Sequence, residues 1–319
     1  MADPHPPTIV VAEAYSEASL ATLRRAGEVR VLKSYDEASL LEAVADADAL
    51  LVRTYAQVTD RVLDHAPRLR VIGRGGVGLE NINVAAALRR NITVVHTPAA
   101  ATRSVEELTI GLMIALERRI VDADQAMRRG QFAQARARSR GRELCGLTMG
   151  IVGLGRIGMC VGRTCSLGLG MRVLFNDIVD VGPLDFPAEP ADKAALFRES
   201  DVVSLHVPLT PLTRGMVSAE VLATFKPTAT LINTSRGAVV DLIALADALT
   251  AGRLAGAACD VFDPEPPPPD HPILHAPNVL LSAHVGARTH EGLDRMNAVV
   301  DDVVAVLQGR SPQYPATEP

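Results

Sequence analysis

Eleven short runs rich in β-branched residues recur along the chain, each separated from the next by enough residues for a helix. The first five are TIVVAE (8–13), VRVLK (29–33), ALLVR (49–53), LRVIGR (69–74) and ITVVHT (92–97). Between them lie amphipathic segments such as SEASLATLRRAG and DEASLLEAVADA, the second opening on Asp36, a residue type suited to a helix N-cap. Strands spaced by helices cannot close as hairpins, so they pair in parallel with helices over both faces of the sheet. That predicts one α/β unit over residues 1–99.

A second set follows a long helical pattern, SVEELTIGLMIALERRIVDADQAMRRGQ (104–131): TMGIVG (148–153), RVLFND (172–177), DVVSLHV (201–207), ATLINT (229–234), AGAACDV (255–261) and NVLLSAH (278–284). This is a second parallel α/β unit. The last stretch, GLDRMNAVVDDVVAVLQG (292–309), reads as a helix ending in Gly with no strand after it, so it is expected to pack back on another sheet. The one biased segment, PEPPPPDHP (264–272), is a stiff loop.

Composition narrows the class. A net charge of −5 over 319 residues predicts no general attraction to nucleic acid or anionic membrane. The N-terminus lacks the basic-then-apolar layout of a secretion signal, and the most apolar stretch is broken by Arg156, Arg163 and Arg172. Cys145, Cys160, Cys165 and Cys259 follow no metal-ligand spacing and read as packing thiols in a reducing compartment. A cytoplasmic globular protein without a metal is expected.

GIVGLGRIG (150–158) sets Gly153, Gly155 and Gly158 in GxGxxG spacing between a strand and a helix. Gly153 permits the tight turn, Gly155 admits a pyrophosphate to the backbone, and Gly158 lets helix and strand pack closely. Asp177 lies 19 residues after Gly158, at the end of the next strand, where it can accept from an adenosine ribose and repel a 2′-phosphate. NAD is therefore the expected cofactor.

Several blocks resemble, in order, the D-isomer-specific 2-hydroxyacid dehydrogenase family: GRGGVGLENINV (73–84), SVEELTIGLMIAL (104–116), GIVGLGRIG (150–158), DVVSLHVPLTPLTRGMV (201–217), INTSRGAVVD (232–241), AGAACDVFDPEP (255–266) and SAHVGART (282–289). The resemblance implies two Rossmann-like domains: a flavodoxin-like substrate domain (1–99 and 289–319) interrupted by a doubly wound NAD-binding domain (100–288). It implies hydride transfer at C2 of a small 2-hydroxy or 2-oxo acid, with Arg236, Glu265 and His284 as the catalytic residues. The chemistry gives each a reason. Reduction leaves an alkoxide that needs a proton, which His284 would donate. Glu265, held extended between Pro264 and Pro266, would bind the other ring nitrogen and favour the imidazolium. Arg236 would polarise the C2 carbonyl and hold the carboxylate.

The resemblance also implies that Arg156 and Ile157 lie under the pyrophosphate, and Thr234, Ser235, Asp260 and Gly286 near the nicotinamide. Asp260 is read as an acceptor for the carboxamide or as a buried cap. Val77 and Gly78 would offer backbone amides to the substrate carboxylate. His206 is read as a pocket wall. The cleft between domains is expected to close on NAD. Helix 104–131, with Leu108, Leu112, Ile114 and Leu116, implies a homodimer.

Arg53 in LLVRT and Arg74 in GRGG suggest a second anion on the substrate, as in phosphoglycerate dehydrogenases; the arginines of QARARSRGREL (134–144) read as a solvated basic loop. Three positions depart from the usual pattern: Ala101 for Asn, SVEEL for SVAEL, and Ala283 for Pro before His284. Ending at Pro319, the chain is expected to lack the regulatory domains of longer phosphoglycerate dehydrogenases, and with them feedback by serine. The alternatives are a hydroxypyruvate or glyoxylate reductase using the same machinery, and an NAD-sensing binding protein of the corepressor type; Glu265 argues against a formate dehydrogenase.

Overall fold

A computed structural model describes residues 5–138 and 140–317. The chain divides into two compact units, Met1–Ala101 with Arg288–Pro319, and Thr102–Ala287.

The first unit holds strands β1 (Thr8–Val11), β2 (Glu28–Val31), β3 (Ala49–Val52), β4 (Val71–Arg74) and β5 (Thr93–His96), in the order β2-β1-β3-β4-β5. All pairings are parallel. β1, β3 and β4 are buried along their whole length, which is why they read as apolar runs interrupted only by Thr8 at the start of β1 and Arg74 at the end of β4. One face packs on Leu40, Val44, Val62 and Ala86; the other receives Val299, Val300 and Val303 of the returning helix. Gly73 makes that approach possible, since a Cβ there would lie 2.5 Å from Val303 Cγ2. Asp36 caps its helix as expected, accepting from Ser39 N at 2.8 Å. The helix predicted over 292–309 is two helices, His290–Asn297 and Val299–Leu307, and Met296 and Asn297, at their junction, contact Arg53.

The second unit holds β6 (Thr148–Val152), β7 (Arg172–Asn176), β8 (Glu189–Pro190), β9 (Val202–Leu205), β10 (Thr230–Asn233), β11 (Gly256–Cys259) and β12 (Val279–Leu281), ordered β12-β11-β10-β9-β6-β7-β8. Strand order reverses between β6 and β9, the kind of position where open α/β sheets bind ligands. β8 was not predicted: two exposed edge residues, one of them Pro, carry no periodicity.

The helix predicted over 104–131 is broken into Thr102–Glu117 and Ile120–Arg128, and a further helix, Phe132–Arg138, follows it. The break falls where Glu117 is buried and gripped by Arg142 (Nε to Oε2 2.8 Å, Nη2 to Oε1 2.9 Å) and by Thr230 Oγ1 at 2.7 Å. Two residues on, Arg119 turns left-handed (φ 53°). Arg142, read as part of a solvated loop, is thus structural. Among the described residues no helix is long and apolar enough to cross a membrane.

Candidate active site

β6 runs directly into the glycine turn. Gly153 has φ 91°, and a side chain there would put Cβ 2.6 Å from His206 O, at the end of β9. Gly158 sits in the first turn of helix Arg156–Arg163, where a Cβ would lie 2.1 Å from Gly153 O. Gly155 differs: nothing stands within 4 Å of its would-be Cβ, so the loop leaves open space above the helix N-terminus. Arg156 and Ile157 open that helix. Asp177 closes the far side, with Oδ2 accepting from Leu154 N at 2.7 Å and Oδ1 from Val179 N at 3.2 Å. Two tightly packed glycines, one open one and a carboxylate at the next strand end form a cradle that fits NAD.

The three predicted catalytic residues also follow strand ends of this sheet. Asn233 ends β10 and organises the turn after it: its Oδ1 accepts from Ser235 N (3.0 Å) and Ser235 Oγ (2.8 Å), and its Nδ2 donates to Arg236 O at 2.9 Å. Arg236 Nη1 donates to Ser235 O at 2.7 Å. Gly237 packs so closely on Phe262 that a Cβ would overlap its backbone, at 2.0 Å. Thr234 is buried and meets Thr109 Oγ1 at 3.0 Å.

Asp260 follows β11 and is 1% exposed. Its Oδ1 accepts from Ser282 Oγ (2.6 Å) and Val285 N (2.9 Å), its Oδ2 from Gly286 N (2.8 Å), and its backbone oxygen from His284 N (2.7 Å). Four bonds from one residue thus hold the segment 282–286, in which His284 takes the left-handed conformation (φ 52°). Gly286 is buried against Asp260 and Val105. His284 Nδ1 lies 2.7 Å from Glu265 Oε2, with the side chains 32% and 26% exposed. Glu265 stands between two prolines whose preceding peptide bonds are both cis. Among the described residues its buried Oε1 has no hydrogen-bond partner. His206 pairs with Ser204 Oγ at 2.9 Å, and burial lowers its pKa to about 4, so its ring is neutral near pH 7.

In the first unit, Arg53 and Arg74 sit where predicted, after β3 and at the end of β4. Arg53 Nε donates to Ala14 O at 2.6 Å, Nη1 lies 3.7 Å from Met296 Sδ, Nη2 bonds Asn297 Oδ1, and the guanidinium lies 4.4 Å over the Tyr15 ring. Arg74 is buried against Gly76, where a Cβ would stand 1.4 Å from Nη1. Val77 and Gly78 follow in that turn, with Val77 O 3.0 Å from His96 Nδ1.

Glu13 and Tyr15 were not anticipated. Glu13 accepts from Arg53 N (2.7 Å), Thr54 N (3.1 Å), Tyr55 N (3.2 Å) and Ala56 N (3.1 Å), making the loop after β3 a nest around its carboxylate. Their one sequence signal was weak: polar residues just past a buried strand.

Comparison with known proteins agrees with this geometry. Residues 110–286 match the family model for the D-isomer specific 2-hydroxyacid dehydrogenase, NAD binding domain. Over 316 residues the chain is 40% identical to a glyoxylate reductase of Thermofilum pendens, covering 96% of this chain and 93% of that protein. It is 39% identical over 311 residues to a D-3-phosphoglycerate dehydrogenase of Methanocaldococcus jannaschii, covering 94% of this chain but only 57% of that longer protein. The crystal structure of the TT0316 protein from Thermus thermophilus superimposes with a TM-score of 0.91 at 37% identity, covering 97% of this chain and 100% of the other. The chain therefore belongs to the D-isomer specific 2-hydroxyacid dehydrogenase family, and is an NAD-dependent oxidoreductase of that family.

Proposed function

We propose that the enzyme interconverts a D-2-hydroxy acid bearing a second anionic group and its 2-oxo acid, of the class of 3-phosphoglycerate and phosphohydroxypyruvate. The carrying observation is the state of Arg53. Its side chain is held on four sides by Ala14, Met296, Asn297 and Tyr15, all in its own unit. Of about five guanidinium donors, those bonds engage three and leave two on a half-buried, immobilised cation. That is a pre-organised reader for phosphate.

In this reading NAD(H) supplies or accepts the hydride at C2. His284 Nε2 gives its proton to the C2 oxygen as negative charge develops there, and takes it back in the reverse direction. Glu265 holds Nδ1 and so fixes the tautomer and plane of the ring. Arg236 would polarise the C2 carbonyl and hold a carboxylate; in the first unit, Val77 and Gly78 are the residues whose amides would serve as carboxylate donors. Gly153, Gly155, Arg156, Ile157 and Gly158 hold the pyrophosphate, Asp177 the ribose, and Thr234, Ser235, Asp260 and Gly286 the nicotinamide end.

A second reading, reduction of hydroxypyruvate or glyoxylate, is favoured by Arg74. At 9% exposure it is built into its own turn, which leaves one arginine rather than two for a distal anion. The test is NADH oxidation with phosphohydroxypyruvate, hydroxypyruvate and glyoxylate side by side. A kcat/KM highest for the phosphorylated acid supports the first reading; preference for either small acid supports the second. Tight NADH binding without turnover of any would instead mark a corepressor-like binding protein.

A cytoplasmic homodimer completes the proposal. Helix Ile120–Arg128 buries none of its residues within its own unit and exposes Ile120, Val121 and Met127, with Phe132 just beyond. Leu108, Leu112, Ile114 and Leu116, by contrast, are half-buried in the unit itself. Sedimentation at micromolar concentration should show a dimer; a monomer refutes it.

A further inference from the structure

Tyr15 belongs to none of the motifs, yet it touches three separate parts of the first unit. Its hydroxyl donates to Val52 O at 2.8 Å and accepts from Gly75 N at 3.0 Å. Its ring carries the Arg53 guanidinium at 4.4 Å. Val52 ends β3 and precedes Arg53; Gly75 follows β4 and opens the turn that leads to Val77 and Gly78. The turn is shaped around the phenol, since a Cβ on Gly75 would lie 2.8 Å from the Tyr15 oxygen.

We infer that Tyr15 is a positioning residue that sets the spacing between Arg53 and the Val77–Gly78 turn, and through it the length of dianionic acid the enzyme prefers. The inference rests on the proposed roles of Arg53 and of that turn. Two parts of one side chain carry two separate jobs. The hydroxyl reinforces the direct bond from Gly75 N to Val52 O (3.1 Å) that joins the carboxylate-binding turn to the end of β3, so its loss loosens the turn for every 2-oxo acid. The ring holds the guanidinium by cation–π attraction, so its loss frees only the group that meets the distal anion. A phenol that merely filled space would not separate these effects. Burial pushes the phenol pKa up to about 12, so the hydroxyl keeps its proton, and its bond to Val52 O, at any working pH. Glu13 secures the other side of the same loop through four backbone amides, and Tyr15 adds a side-chain link to the neighbouring turn beside the direct bond from Gly75 N to Val52 O at 3.1 Å.

The test compares Tyr15→Phe, Tyr15→Leu and Arg53→Met with the parent enzyme. Steady-state kinetics use phosphohydroxypyruvate and hydroxypyruvate at saturating NADH, with a thermal transition recorded for each variant. Tyr15→Phe keeps the ring: KM should rise about fivefold for both acids, with kcat and the preference between them within about twofold. Tyr15→Leu should, in addition, lower the preference for the phosphorylated acid by about three- to tenfold. Unchanged KM values in Tyr15→Phe, or an unchanged preference in a folded Tyr15→Leu, overturns the inference. If Tyr15→Leu does not fold, the Tyr15→Phe result decides alone. Arg53→Met separates the two levels: an unchanged preference there refutes the reading of Arg53, whereas lost preference in Arg53→Met but not in Tyr15→Leu refutes only the role of Tyr15.

Discussion

His284 Nδ1 and Glu265 Oε2 are 2.7 Å apart, and the two residues reach that contact from unlike loops: one left-handed at φ 52°, the other a bend in which Glu265 stands between two prolines. The bond occupies Nδ1, so in the proposed reaction a proton exchanged with substrate would pass through Nε2. His284→Asn should therefore lower kcat by roughly 10²–10⁴-fold while leaving NADH affinity within about twofold. Glu265→Gln keeps the size but replaces the carboxylate that meets Nδ1 with an amide, and should cost about tenfold or more in kcat. Stopped-flow NADH binding alongside turnover checks both; a His284→Asn enzyme with parental kcat would remove His284 from the proton transfer.

Asp260 holds the histidine loop more tightly than a cofactor contact alone would require. Its carboxylate satisfies Ser282 Oγ and the amides of Val285 and Gly286 at 1% exposure. Asp260→Ala would strand the buried Gly286 amide and the part-buried Ser282 and Val285 donors, at about 1–3 kcal/mol for each one that water cannot reach, and would release His284 from φ 52°. A lowered thermal transition together with a kcat loss similar to that of His284→Asn is expected. Asp260→Asn, which keeps one acceptor, should fall between. A stable Asp260→Ala enzyme with full kcat would show that the loop holds its own shape.

Most of this arrangement is legible from local sequence, for physical reasons that differ by element. A strand such as ALLV announces itself because a parallel strand buried on both faces is an unbroken apolar run, and VIGR departs from that only at its last residue, Arg74. The glycine loop, Arg236, Glu265 and His284 are legible because each occupies a short motif. What escapes is set by partners far away in sequence. The helix over 104–131 breaks because Glu117 is held by Arg142 and Thr230, 25 and 113 residues on, and no periodicity reports that. Glu13 and Tyr15 escape for the same reason: their partners are backbone groups 37 to 60 residues distant that only the folded turns present. Arg53 was legible as a cation near the site, but its pinned state was not.

The glycines of the cofactor loop should separate binding from stability. Gly155 has an ordinary backbone (φ −73°) and open space at its Cβ position. Gly155→Ala should fold with a thermal transition within about 2 °C of the parent, near the usual noise of a surface change, yet bind NADH about tenfold or more weakly because its methyl fills the pyrophosphate's place. Gly158→Ala meets Gly153 O at 2.1 Å instead and should lose about 1–3 kcal/mol of stability. Equal NADH affinity in Gly155→Ala and the parent would place the pyrophosphate elsewhere.

His206 makes the second unit sensitive to acid. Burial lowers its pKa from 6.5 to about 4, so between those values the unfolded chain binds a proton that the native state refuses. Stability therefore rises with pH across that window and is lost as pH falls through it, by about 3 kcal/mol once pH is below about 4. The ring's contact with Ser204 Oγ at 2.9 Å can persist in the neutral form as donor or acceptor, so the contact itself does not require charge. His206→Gln keeps a polar group of similar reach without the titration. Denaturant unfolding of the two proteins at pH 7 and at pH 4.5 should show a larger acid loss in the parent than in the variant. Parallel losses would mean that His206 protonates without leaving its place, and that other groups set the acid limit.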